Sequence, residues 1–313
     1  MITLLVAPLL LPWLLAPLAR RTVERVRPDV ALWAVTVGAA ALALGVVTCL
    51  GALLLPLALS LPVLAGLAHL LHPLQAGPAA LVACISMLAG GALAVTATVT
   101  ARGVKAEVVR LRAARDLVAG IPAAGGLCVL DDDRPDAFAL PGGTRRRGRI
   151  VVTAGMLRAL DPCEREALLG HERAHLAGHH HLFLGVAQLA GWCHPALASV
   201  LPLVSLAAER AADEAAARAC GDRRLTARAI GRAALASTAC RSRLQAPAIA
   251  ARGTTGPVPA RVKALFAQAP ARRVAPALLA MALLCGAAGA SSLGGAVWLH
   301  QGVEVAQGEH PSE

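Results

Sequence analysis

Asp161-Pro162-Cys163-Glu164-Arg165-Glu166-Ala167-Leu168-Leu169-Gly170-His171-Glu172-Arg173-Ala174-His175 is the stretch around which the rest of the chain is read. Its end is His-Glu-x-x-His. Two histidines four apart lie on one face of a helix, one turn above each other, so both imidazoles reach a single ion. Glu172 sits one residue round from His171. It is placed to take a proton from a metal-activated water rather than to bind the metal. Asp161 reads as an N-cap, Pro162 as the first helical residue, and Glu164 completes a capping box. A solvated polar helix face is the bland alternative. The capped frame favours the metal.

Outward from that helix, composition sets the class. The chain has 313 residues, 57% of them hydrophobic, and a mean hydropathy of +0.62. That is too apolar for one soluble domain and predicts several membrane spans around a modest globular part. The net charge of +11 is carried almost wholly by arginine. With 2% aromatics and no tyrosine there is little for bases to stack on, which argues against nucleic acid. The eight cysteines are scattered and form no Cys-x-x-Cys pair, so free thiols are expected rather than a disulfide framework or thiolate site.

The placement of arginine then gives a topology. Residues 2–19 are apolar and uncharged, with no basic segment ahead of them as a secretory leader would carry. They are expected to span with the N-terminus outside. Arg20, Arg21, Arg25 and Arg27 follow as an inside loop. Residues 30–58 cross again, 60–77 (with His69 and His72 but no Lys or Arg) form an outside loop, and 78–100 cross back. Arg102, Lys105, Arg110, Arg112 and Arg115 mark the inside once more, in agreement with the positive-inside rule at each loop.

Residues 101–274 are mixed in composition and read as the globular part. An amphipathic helix is expected over 104–118, and short strands over 126–130, 137–140 and 149–153. The cluster 131–136 reads as a solvated acidic turn and 144–149 as a basic hairpin tip near lipid headgroups. A short helix, 154–160, precedes the metal helix. Residues 182–206 are apolar again, with Pro195 inside; helical stretches are expected over 207–218, 222–238 and 258–268. Arg272 and Arg273 lie inside ahead of a last span, 275–299, and a short outside tail, 300–313.

A catalytic zinc site takes three protein ligands and keeps one position for water. His181 completes a literal His-Glu-x-x-His-x-x-Gly-x-x-His, the metzincin pattern, which also needs a methionine turn under the metal. The only methionine after Met156 is Met281, within an apolar run, so that requirement fails. Glu209, in Glu-x-x-x-Asp, is the better third ligand. Asp213, at i+4 from it, is placed to orient a ligand histidine. Glu209 must then share a compartment with His171. Segment 182–206 is therefore not one full crossing, but a re-entrant or hairpin segment broken near Pro195, or a buried helix pair.

The residues so assembled resemble the integral-membrane gluzincins, closest to the BlaR/MecR-type peptidase family, with HtpX-type membrane proteases as near relatives. The resemblance is carried by 137–143, 150–157, Glu164 to His175 and Glu209 to Asp213, roughly residues 126–215. It implies a mostly α membrane protein: about four transmembrane helices plus a zincin-like α+β metalloprotease domain with a small β-sheet. The corresponding organisation is a membrane domain over 1–100, with three of the helices, then a zinc metallopeptidase domain over 101–274 carrying the membrane-associated segment 182–206, then the last helix and tail. His171, His175 and Glu209 would bind Zn2+, Glu172 would be the general base, and Asp213 would support a ligand. Arg261 falls where an arginine recurs in these families, yet reads as a surface residue. The short tail leaves no room for a penicillin-binding ectodomain, so beta-lactam sensing is not expected of this chain.

The function expected is a membrane-embedded zinc endopeptidase, multi-pass in the cell membrane with its peptidase part on the cytoplasmic side. It would cut a cytoplasmic or membrane-proximal protein, held along an exposed edge strand at 137–140. The alternative is a non-proteolytic membrane signalling or scaffold protein whose metal is structural. The lipid bilayer is the other expected partner, and composition says nothing of oligomeric state.

Overall fold

The computed structural model describes residues 7–59, 78–143, 148–239, 257–267 and parts of 276–290. The expected outside loop at 60–77, the basic tip at 144–147, Arg272, Arg273 and the tail all lie outside the described residues.

The protein is mostly helical with one small sheet. Helix α1 (Pro12–Arg25) and helix α2 (Pro28–Leu59) are followed by the long helix α3 (Ala79–Leu117). Helices α2 and α3 contain two stretches long and apolar enough to cross a membrane. Between them, Ser86 Oγ of α3 donates to the Leu53 carbonyl of α2 at 2.8 Å. The first expected span is described only from residue 7, and α1 runs past its expected end to Arg25, with Arg20 and Arg21 on the helix rather than in a loop. Likewise no separate helix begins at 104. Gly103 is flanked by helix formers, and α3 continues through it without a break. Glycine is needed there, since a Cβ would fall 2.3 Å from the ring of Trp192.

Strands β1 (Leu127–Leu130), β2 (Ala137–Leu140) and β3 (Arg149–Thr153) form one mixed sheet in the order β1-β3-β2. β3 is central, parallel to β1 and antiparallel to β2. Its Ile-Val-Val run is buried, as suits a strand covered on both sides. Arg115, near the end of α3, donates to the carbonyls of Pro141 and Gly142, joining the long helix to the end of β2. The acidic turn before β2 is only partly solvated: Asp133 pairs with Arg158, but Asp136 is buried, with its carboxylate on the Ala137 amide.

Thr153 ends β3 and caps helix α4 (Ala154–Ala159). Next comes α5 (Pro162–Ala177), with the capping box in place: Glu164 N–H donates to Asp161 Oδ1 at 2.8 Å and Asp161 N–H to Glu164 Oε2 at 3.1 Å. Glu164 is fully buried and also takes Arg228 and Arg232 from α9 (Arg223–Ala239). The cap of the metal helix thus doubles as its attachment to a neighbour.

The apolar segment after α5 is a broken helix pair. α6 (His180–Cys193) ends at His194, which is extended because Pro195 disfavours a helical residue before it. A short turn, α7 (Pro195–Ala198), leads into α8 (Leu201–Cys220). Phe183 and Leu184 of α6, with Leu197 and Val204, share one core with Leu15 of α1, Leu42 of α2 and Met281 of helix α11 (Leu278–Ala287). Pro195–Cys220 is the third stretch apolar enough to cross by length and composition. Helix α10 (Val258–Phe266) closes the described fold against α8 and α9 through Leu265, Ala217 and Ile230.

Candidate metal centre

The site forms where α5 crosses α8. His171 and His175 point off one face of α5, one turn apart, with rings 4.7 Å apart and their Nε2 atoms 3.0 Å apart. α8 brings Glu209 onto the same point: one carboxylate oxygen lies 3.4 Å from His171 Nε2 and the other 3.5 Å from His175 Nε2. His171, His175 and Glu209, all buried, are the group of side chains able to hold a metal ion among the described residues. A tetrahedron with metal–ligand bonds of about 2.0–2.1 Å has edges of about 3.3–3.4 Å, so the donors already stand near ligand spacing. His181, the rival ligand, is outside the group; its ring neighbour is His179, at 6.0 Å.

Glu172 faces the same space from α5. Both its carboxylate oxygens are buried and have no hydrogen-bond partner among the described residues. A buried carboxylate left unmatched is costly, and the usual reason to keep one is chemistry. Burial is the main cause that pushes its pKa up to about 7, with Glu209 and Asp136 adding to the shift.

Around the donors lies a layer of supporting groups. Asp213, one turn along α8 from Glu209, stands 2.9 Å from His171 Nδ1. Burial alone would lower the His171 pKa, but the hydrogen bonds to Asp213 and Glu209 outweigh it and push it up to about 9. A cation bound at Nε2 would compete with that proton, as metal binding generally does. His175 is held well below the usual imidazole range by burial and by its charged neighbours.

Arg261 corrects the sequence reading. It is fully buried on α10, not at the surface. Its Nη1 lies 2.9 Å from Glu209 Oε2, while Nε and Nη2 donate to the two oxygens of Asp213 at 2.9 and 2.6 Å. This fork brings a buried positive charge to two carboxylates one turn apart on α8. The one signal for it in the sequence was the arginine of Arg-Val-Lys-Ala-Leu.

His180 is a second correction. In the sequence the run 179–181, leading straight into an apolar segment, reads as polar caps at an interface, yet His180 is only 5% exposed and its Nδ1 lies 2.8 Å from Nδ1 of His175. Nor is strand 137–140 an exposed edge. β2 is at the edge of the sheet, but its four residues are 1–3% accessible, with α5 among the elements packed against it.

A family model for peptidase family M48 matches residues 101–194. That range takes in His171, Glu172 and His175 and stops before Glu209. Metallopeptidases of this family use a metal ion, usually zinc, and the match supports metal-dependent proteolysis. No curated protein and no solved structure matches the chain.

Proposed function

We propose that the chain is a membrane-embedded, zinc-dependent endopeptidase of the integral-membrane gluzincin type, acting on a cytoplasmic or membrane-proximal protein. The observation that carries this reading is the pair of unpartnered, buried Glu172 oxygens beside three converging metal donors. A metal kept only for folding has no use for such a group.

Bound by His171, His175 and Glu209, zinc supplies Lewis acidity, polarising a scissile carbonyl and acidifying a water toward neutrality. Glu172 takes the proton of the attacking water and delivers it to the leaving nitrogen. Asp213 receives the Nδ1 proton of His171 and so directs Nε2 at the site. Arg261 holds Glu209 and Asp213 in register. With no tyrosine in the chain, a histidine, an arginine or a backbone amide has to serve as the second donor to the developing oxyanion.

The membrane setting is supported by the apolar helices α2 and α3, and the arginines at their ends favour a cytoplasmic peptidase part by the positive-inside rule. The test is Glu172→Gln in the full chain. Zinc content should stay at the parent's level, while cleavage of a protein substrate falls about 10²- to 10⁴-fold. Equal cleavage by variant and parent would remove the peptidase and leave a metal-bearing membrane scaffold.

A further inference from the structure

The two ligand histidines are supported differently. Behind His171 stands a carboxylate, Asp213. Behind His175 stands another imidazole. The chain leaves α5 through Gly178 and His179, whose φ of 49° turns it sharply, and His180 opens α6. That turn folds the His180 ring back over the last turn of α5, its plane at 88° to His175 and the centroids 4.8 Å apart. The space is made by Gly178: a Cβ there would fall 2.5 Å from His180 Nε2 and 2.8 Å from its Cδ2. The glycine of the metzincin-like spacing therefore serves a different purpose, since it admits the histidine two residues on rather than aiming the one three residues on.

Two Nδ1 atoms 2.8 Å apart share one proton. If His180 donated, His175 would carry its own proton on Nε2, the atom 3.0 Å from His171 Nε2, and a protonated nitrogen cannot bind a metal. If His175 donates, its Nε2 lone pair is free and faces Glu209. His180 then keeps its proton on Nε2. Only the second arrangement is compatible with the site.

We infer that His180 is a positioning residue for the metal, accepting the Nδ1 proton of His175 and so fixing the tautomer and ring angle of the second ligand. A neutral acceptor also suits its surroundings, where Glu172, Glu209 and Asp213 already crowd one buried space. Through α6 the same residue is tied to the apolar helices: Phe183 meets Trp33 of α2 edge to face at 4.8 Å. The inference rests on the metallopeptidase reading.

The experiment compares His180→Phe and His180→Asn with the parent, as full chains in detergent. Phe keeps a ring of similar size with no acceptor, whereas Asn keeps an acceptor near the position of Nδ1. Zinc affinity, measured by competition with a chelator, should fall about 10- to 100-fold for Phe and stay within about threefold of the parent for Asn. The absorption bands of the cobalt-loaded protein should shift for Phe alone. Parent-like affinity and spectrum in the Phe variant would overturn the inference. Equal losses in both variants would overturn it too, assigning His180 to packing. A parent chain that takes up no zinc would instead fail the metallopeptidase reading beneath it.

Discussion

Helices α3 and α8 are both apolar and long, and composition alone would send each across a bilayer. Their surroundings are opposite. Along the most apolar stretch of α3 only 11% is buried, and Leu81, Leu88 and Val95 stand open to the outside. The stretch that includes α8 is 44% buried, and what it turns inward includes Glu209 and Asp213, each 1% exposed. On α3 the charges gather at one end, after Arg102. On α8 Glu209 and Asp213 stand at i and i+4 and face α5 and α10. The difference teaches that apolarity measures what a helix is made of, while its polar residues decide what it lies against. α3 turns apolar side chains outward, and α8 turns carboxylates toward two imidazoles and a guanidinium.

Three substitutions probe that contrast. Arg261→Ala should have the largest effect, since it leaves two buried carboxylates without their guanidinium. The metal-free protein should lose about 3–5 kcal/mol in thermal or denaturant unfolding. Zinc should return part of this, so the gap between parent and variant narrows without chelator. An unchanged unfolding midpoint would mean that α8 does not depend on its internal ion pairs. Leu88→Arg tests α3: a charge at its 75% exposed position should cost about 2.5–3.5 kcal/mol of insertion, read as protein released from membranes by alkaline extraction. Full retention would place that face of α3 away from lipid. The smallest effect is expected at the joint between α5 and the apolar core. His179→Gly relieves a left-handed residue and should stabilise by about 0.5–1 kcal/mol with zinc content unchanged.

Much of this could be read in one dimension because the governing interactions are local. The capping box, the i, i+4 histidines and the break before Pro195 each lie within a few residues, and β3 stands out by its β-branched run. Glu209 needed a longer argument, from the missing methionine turn and the Glu-x-x-x-Asp spacing. Arg261 and His180 were misjudged for one reason. A buried cation looks like a surface arginine until its carboxylates, 48 residues away, are seen to fold onto it. His180 lies close in sequence to His175, but only the left-handed turn at His179 brings the rings together, and histidine does not announce that conformation as glycine would. Burial of β2 was hidden similarly, since four apolar residues say nothing of what covers an edge.

One further bond reaches from the centre to the start of the chain. Arg210, next to Glu209, donates to the carbonyl of Val23 near the end of α1. An attempt to obtain a soluble catalytic fragment by deleting the first helix would strip that guanidinium of its main-chain acceptor, one residue from a metal donor. Trimming the amino terminus is therefore a poor route to a tractable enzyme. Solubilising the intact chain is the sounder course for crystallography or inhibitor screening.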